Sequence, residues 1–338
     1  MKLVIIGSGR MGVRHAMGAA QAATISEICM VDISEDALLS AKQQLDNSQN
    51  SGKFQYLLLA DFKTTNEKFD VCIIASTASG RKETVDLAYQ KGCKHLMVEK
   101  PLGQSMQEAS DLSEHIESLA INTCVNLNMR LYDSFIQLRK DLNEKPQLKG
   151  EKVIMTNTGT IGIGANGIHY LDLLYFLLDA ESAELVAGEI EETLIPSGRG
   201  PQFGDFGGWC TIKLFGKNGD YKGRAHLSMA ATSTAFGGWD IVTPHGRITL
   251  HEIEQKRIDY LRKEDSQMPI SRYAADYLPP VETKIESPFL GDLTKIWLEE
   301  LAEGRQLLPS VSESLKVHQL MFDWLSKSTT HKETFPIT

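Results

Sequence analysis

The sequence predicts an α/β protein of two domains, a doubly wound parallel sheet followed by a larger domain whose sheet is mostly hairpin-built. Three observations carry that prediction. A short apolar strand runs into G-x-G-x-x-G at the start of the chain. Apolar strands and amphipathic helices then alternate as far as residue 127. Beyond residue 150 most strands follow one another with turn residues between them, and two helices close the chain.

The first element is the apolar run 3–6, which has the pattern of a strand buried on both faces. Gly7, Ser8, Gly9, Arg10, Met11 and Gly12 follow, at the point where that strand hands over to a helix starting near Arg10. One glycine serves a tight turn, one lets the backbone approach a pyrophosphate, and one lets helix and strand pack closely. Phosphates then sit on the free N–H groups of the helix. A second apolar strand, 28–31, stops at Asp32, twenty residues after Gly12. A carboxylate there accepts from both ribose hydroxyls and repels a 2′-phosphate, which predicts NAD rather than NADP. The cofactor-binding residues expected in this stretch are Gly7, Gly9, Arg10, Met11, Gly12 and Asp32.

Ser34 is placed to cap a helix with the stripe Ala37, Leu38, Ala41 and Leu45. Further strands are expected at 54–59, 70–76, 95–98 and 121–127. Helices are expected at 82–90, ended by Gly92, and at 105–120. Ligands of a parallel sheet bind at the carboxyl ends of its strands. Ser76 and Thr77, Glu99 to Pro101, and Asn126 to Arg130 therefore share one crevice with the glycine loop. Ser76, Thr77, Glu99 and Lys100 are expected at the cofactor, and Lys100, Asn126 and Arg130 at the substrate.

The chain is expected to leave this domain at Cys124, dividing into 1–124 and 125–338. The second domain reads as strands at 153–160, 184–192, 209–215, 221–229, 240–243 and 247–251, with turns at 217–220 and 244–246. Helices follow at 291–302 and 311–325. The glycine-rich stretch 198–208 reads either as a hairpin connection or as a substrate lid carrying Arg199 or Asp205.

Composition bounds the function. With 338 residues, 42% hydrophobic and 23% charged, the chain is that of a soluble globular protein. A net charge of −9 argues against nucleic acid or an anionic membrane as its partner. The apolar stretch 171–178 is too short for a membrane span, and the opening strand leaves no room for a signal peptide. Five scattered cysteines without C-x-x-C predict reduced thiols and a cytoplasmic protein. The chain has no G-x-S-x-G and no G-x-x-x-x-G-K-[ST], and His226, His245 and His251 have no metal-ligand spacing, so no metal is expected.

Taken together, G-x-G-x-x-G-x-x-H from Gly7 to His15, the acid at Asp32, Glu-Lys-Pro at 99–101 and G-x-H-x-x-D from Gly167 to Asp172 resemble the Gfo/Idh/MocA family of NAD(P)-dependent oxidoreductases. The resemblance implies an N-terminal Rossmann domain and a C-terminal α+β domain with a large, open, mostly antiparallel sheet used in homodimers or homotetramers. It also implies a substrate that is a sugar, sugar nucleotide, cyclitol or related polyol.

Lys100, where a strand end meets proline, can hold a substrate hydroxyl and stabilise a developing alkoxide. The resemblance makes it the catalytic lysine; the residues alone also read as a solvated lysine before a turn. His169 stands in NGIHYLDLLYFLL, where Asn166 can cap a helix and where helix dipole and burial both favour a neutral imidazole able to take a proton. Asp172 shares its helical face and can orient that imidazole or bind a substrate hydroxyl. The bland alternative is a core histidine satisfied by an aspartate. Asn166, His169 and Asp172 are the expected substrate contacts of this helix. Two positions depart from the family: Ala165 where many members carry an aspartate, and Arg81 where many carry a histidine. The first keeps open an NAD-recycling lyase or glycosidase beside a simple dehydrogenase, and a non-catalytic NAD-binding sensor is a third reading. Arg81 is placed to pair with a substrate anion or a cofactor phosphate.

Overall fold

The computed structural model describes residues 1–48, 50–159, 162–197, 200–230, 237–263 and 277–338. Its first elements are β1 (Lys2–Ile6), α1 (Arg10–Gln21), β2 (Glu27–Asp32), α2 (Glu35–Leu45), β3 (Phe54–Leu58), α3 (Leu59–Thr64), β4 (Val71–Ile74), α4 (Arg81–Gln90), β5 (His95–Val98), α5 (Met106–Ser118) and β6 (Asn122–Val125). Then come α6 (Asp133–Glu144), β7 (Lys152–Gly159), α7 (Ile168–Leu178), β8 (Ser182–Pro196), β9 (Gly204–Phe215), β10 (Tyr221–Ala230), β11 (Gly238–Thr243), β12 (Gly246–His251), β13 (Lys256–Leu261) and β14 (Val281–Lys284). The helices α8 (Leu290–Ala302) and α9 (Val311–Leu325) follow. The fold class is the expected one.

Contacts divide the chain into one unit of Met1–Leu131, Pro288–His318 and Thr338, and another of Tyr132–Ser287 and Gln319–Ile337. Where the sequence suggests a single cut near residue 124, α8 and the first part of α9 instead return to the first unit. The cause is a close crossing of α1 and α8: a Cβ on Gly18 would lie 1.9 Å from Gly291 O.

The first unit holds a six-stranded parallel sheet in the order β3-β2-β1-β4-β5-β6. Its central strands β1 and β4 are buried along almost their whole length, as expected where helices cover both faces of a sheet. Ser34 Oγ accepts Ala37 N–H at 3.2 Å, the expected cap of α2. Gly92, at φ +85°, follows the last turn of α4. Register pairs Ile6 with Ile74, Ile74 with Val98, and Val98 with Val125, so the carboxyl ends of four strands lie side by side.

The second unit holds an eight-stranded sheet, β14-β13-β12-β11-β7-β10-β9-β8, antiparallel except for the β7–β10 pair. Ile212, Leu214, Ala225, Leu227, Trp239, Ile241, Ile248 and Leu250 form its buried face. Residues one step away in register, including Met155, Trp209, Lys213, Arg224 and His226, are exposed. Two sequence expectations are corrected here, and some elements appear that the sequence did not suggest. The stretch 204–208 is the start of β9 rather than loop, while Arg199 lies outside the described residues. The helices α3 and α6 and the strands β13 and β14 were not expected at all. Asn166 does not cap α7: a wide turn over 163–167 precedes the helix, with Asn166 N–H and Gly167 N–H both reaching Gly162 O at 3.0 Å, so residue 166 is already inside the helical path.

Candidate active site

The three glycines of the N-terminal loop divide their work as their surroundings dictate. Gly7 has φ +107°, and a Cβ there would meet Ala75 C and Ser76 N at 2.7 Å, so it makes the turn against the end of β4. A Cβ on Gly12 would stand 1.9 Å from Gly7 O, so it lets α1 close on the loop. Gly9 is the opposite case: no atom of the described residues lies within 4 Å of the place its Cβ would take. That open position is at the start of α1, whose first turn has no side-chain cap and whose residues Gly9 and Arg10 are exposed. Asp32 Oδ2 accepts Ser8 N–H at 2.6 Å and Oδ1 accepts Ser34 N–H at 3.0 Å. The carboxylate at the end of β2 thus ties down the glycine loop as well as facing it.

These features fit a dinucleotide. The open approach at Gly9 and the uncapped helix start suit a pyrophosphate, and each Asp32 oxygen retains acceptor capacity for a ribose hydroxyl. Ser8 Oγ, Ser76 Oγ and Glu99 Oε2 are buried polar atoms with no hydrogen-bond partner among the described residues, at or beside the strand ends where a cofactor lies. Among the described residues no group of three His, Cys, Asp or Glu side chains is arranged to hold a metal.

Glu99 and Lys100 follow β5 directly. Glu99 is fully buried; its Oε1 accepts from His15 Nε2 at 2.9 Å and from Asn126 Nδ2 at 2.7 Å. Burial pushes this carboxyl up, but the hydrogen bond and charge of His15, the Lys100 ammonium and the Asn126 amide outweigh it and hold the group at about 2. His15 Nδ1 lies 2.8 Å from Thr294 Oγ1, whose own proton goes to Leu290 O at 2.9 Å. Both ring nitrogens therefore have a hydrogen-bonding partner. Asn126, expected at the substrate, is 2% exposed and spends its side chain on Glu99. Arg130 sits in the short turn Asn128–Leu131 that follows β6. Arg81 is buried, donating to Pro101 O and, at 3.2 Å, to Ser76 O. Those two donations brace the strand-end loops, a use the sequence did not suggest.

In the second unit His169 is the second residue of α7, and Asp172 one turn on is fully buried. Tyr170 stacks on Trp239 with ring centroids 5.3 Å apart and donates to Glu252 Oε1 at 3.3 Å, which fixes the rotation of α7 about its axis. The start of the wide turn before α7 is capped from β9. Asp205 Oδ1 accepts from Gly164 N–H at 3.0 Å and Phe206 N–H at 2.8 Å, and Oδ2 from Ala165 N–H at 2.7 Å. Gly167 presses on β10, where a Cβ would reach Met229 Sδ at 2.5 Å.

The fold thus gathers Gly7, Gly9, Arg10, Met11, Gly12, Asp32, Ser76, Thr77, Glu99, Lys100, Asn126 and Arg130 along the carboxyl edge of the first unit's sheet, and Asn166, His169 and Asp172 around the start of α7 in the second. Sequence reasoning quoted His15 as part of a motif without finding its partner, and it missed Thr294 altogether. No local signal links residues that lie 279 positions apart.

The model of an oxidoreductase family with an NAD-binding Rossmann fold, Gfo/Idh/MocA, matches residues 1–126. The glucose-6-phosphate 3-dehydrogenase of Bacillus subtilis is 24% identical over 205 residues, 53% of this chain and 54% of that protein, so the chain spans about half the length of this curated relative. A UDP-N-acetylglucosamine 3-dehydrogenase from Acidithiobacillus ferrooxidans superposes with a TM-score of 0.68 at 15% identity, covering 97% of both chains. An oxidoreductase from Agrobacterium radiobacter, solved with NAD+, L-tartaric acid and magnesium, gives 0.69 at 17% identity over 99% of this chain and 98% of that one. A myo-inositol dehydrogenase from Corynebacterium glutamicum gives 0.64 at 16% identity over 98% and 97%. At these identities the likeness to the solved structures is one of fold.

Proposed function

We propose that this chain, whose residues 1–126 match the model of the NAD-binding Rossmann oxidoreductases of the Gfo/Idh/MocA family, is an NAD-dependent dehydrogenase acting on a secondary hydroxyl of a sugar, sugar nucleotide or cyclitol. The observation that carries the reading is the run Glu99-Lys100 at the end of β5, with an ammonium set beside a carboxylate held ionised in the interior. When bound, the nicotinamide supplies the hydride acceptor. Lys100 holds the carbinol oxygen and stabilises the negative charge that develops on it. His169 is assigned the proton of that hydroxyl, and Asp172 the orientation of the imidazole. Asp32 binds the ribose hydroxyls and disfavours a 2′-phosphate. Similar proteins named as dehydrogenases of glucose 6-phosphate, UDP-N-acetylglucosamine and myo-inositol support a polyol substrate of this kind. The sheet face of the second unit that carries Met155 and Trp209, both exposed among the described residues, is assigned to self-association into a homodimer or homotetramer.

Cofactor binding tests the reading first. Calorimetry with NAD, NADH, NADP and NADPH is expected to show NAD or NADH preferred on the wild type, with the preference relaxed in Asp32→Ala. Equal weakening of all four would reduce Asp32 to a brace for Ser8. In a screen of sugar and cyclitol substrates, Lys100→Ala and His169→Ala are each expected to lose about 10²–10⁴-fold in kcat. Replacing His169 should leave NADH affinity unchanged. Turnover at catalytic NAD without net NADH would instead support the recycling chemistry that Ala165 keeps open.

A further inference from the structure

The loop that carries Lys100 is held on its far side by a histidine with no part in the chemistry above. His318, on α9, is fully buried. Its Nδ1 lies 2.7 Å from Ser314 O, and its Nε2 lies 2.9 Å from Leu102 N. A carbonyl oxygen accepts and an amide N–H donates, so Nδ1 carries the proton and Nε2 is a bare acceptor. The neutral imidazole in that tautomer satisfies both partners; a proton on Nε2 sets one N–H against another.

The charges around the ring point the same way. Burial pushes His318 down, the Ser314 carbonyl pulls it up, and the cations facing it, Arg81 from α4 and Lys100 from the loop, push it down again, to about 4. A proton there would add a third positive charge beside those two.

We propose that His318 is a positioning residue for Lys100, which fixes the loop by accepting Leu102 N–H and releases it when Nε2 is protonated. The residues around Lys100 are then each fastened to a different element. Glu99 is gripped by His15 of α1 and by Asn126, Pro101 O by Arg81, and Leu102 N–H by His318. The first two fastenings do not depend on the state of His318; the third does. An ammonium that must meet a developing alkoxide needs its backbone fixed to within about 0.5 Å, and the third contact completes that constraint. The proposal rests on the reading of Lys100 as the catalytic lysine.

The test is NMR on the full chain, following the Leu102 amide and the Lys100 Nζ resonance from pH 6.5 to 3.5 in wild type, His318→Gln and His318→Leu. NADH affinity is measured on each at pH 7. Glutamine offers an acceptor oxygen near the place of Nε2 and does not titrate; leucine offers none. In the wild type both signals should move together with a midpoint near 4, and in His318→Gln both should be flat. At pH 7, Leu102 amide exchange should quicken about five- to tenfold in His318→Leu, one lost hydrogen bond being worth about 1–1.5 kcal/mol. NADH should bind it severalfold more weakly, and glutamine should restore both. The proposal is overturned by a wild-type Leu102 signal that stays flat, by a Leu102 transition that Lys100 does not share, or by a glutamine variant as impaired as the leucine one. Should His318→Leu fail to fold, the wild-type and glutamine titrations decide. If NADH and NAD do not bind the wild type, the functional reading of Lys100 falls, while the Leu102 titration still reports on the contact itself.

Discussion

His15 Nε2 lies 2.9 Å from Glu99 Oε1, and neither side chain has any exposed surface. The pair joins the first turns of α1 to the end of β5, so the element that carries the cofactor loop and the segment that carries Lys100 move as one piece. Removing His15 leaves a buried carboxylate with the Asn126 amide as its remaining hydrogen-bond donor, and breaking a buried pair in this way costs about 3–5 kcal/mol. Leucine in place of His15 is therefore expected to lower the urea midpoint strongly at pH 7. The pH dependence has a definite sign. In the wild type Glu99 titrates near 2, below its unfolded value, so its contribution is complete above about 4.5 and is lost as pH falls toward 2. In His15→Leu, burial dominates and the carboxyl rises instead, so acid relieves the cost. The stability of His15→Leu itself should therefore rise from pH 7 to pH 5; a variant equally stable at both, or less stable at pH 5, would show that Glu99 is not the group left exposed to the penalty.

The loop glycines separate folding from binding. Gly9→Ala introduces a Cβ that meets no atom of the described residues, at a backbone conformation any residue adopts, so unfolding free energy should change by about 1 kcal/mol or less. The same methyl stands where a pyrophosphate would lie on the helix start, and NADH affinity should fall about tenfold or more. Gly12→Ala drives a Cβ into Gly7 O, with backbone on both sides, and is expected to cost about 1–3 kcal/mol of stability before any question of binding arises. Thermal melts and NADH fluorescence titration on the two variants distinguish them. A Gly9→Ala protein that binds NADH like the wild type would remove the phosphate from that place.

Much of the first unit is legible because its signals are local. The strand 95–98 and the helix 311–325, whose first part belongs to this unit, are bounded as expected, since the apolar residues 96–98 and the Gly304 and Pro309 that precede the helix mark them out. The strand β14, with all four residues exposed, has no apolar pattern to read, and β8 runs on to Pro196 as an edge strand with most of its later residues in solvent. The return of α8 to the first unit is invisible for another reason. It depends on Gly18 meeting Gly291, two small residues with no periodicity between them. The same holds for the site. Gly7 to Gly12, Asp32 and Glu-Lys-Pro announce themselves by spacing, whereas Arg81, His318, Thr294 and Asp205 work through backbone atoms or through partners that only the folded chain brings near.

Asp205 is the sharpest case, because the sequence offers it as a lid residue and the structure makes it a cap. Its carboxylate takes three backbone N–H groups, from Gly164, Ala165 and Phe206, and Gly162 lies so close that a Cβ there would reach its Cγ at 2.3 Å. A negative group at the start of a helical segment also meets the positive end of its dipole. Asp205→Ala leaves those buried N–H groups without this acceptor, at about 1–3 kcal/mol for each that stays unsatisfied, so Tm should drop by several degrees or more. A mobile lid would predict the reverse, an unchanged Tm with altered substrate affinity. The functional consequence follows from chain geometry, since His169 stands four residues beyond Ala165 on the segment that Asp205 holds. With a substrate in hand, Asp205→Asn should keep NADH affinity at the wild-type value while kcat falls, because the amide can accept at one oxygen but turns a donor toward the other N–H groups. Loss of NADH binding with kcat intact at saturating cofactor would place the role of Asp205 elsewhere than at the start of the His169 helix.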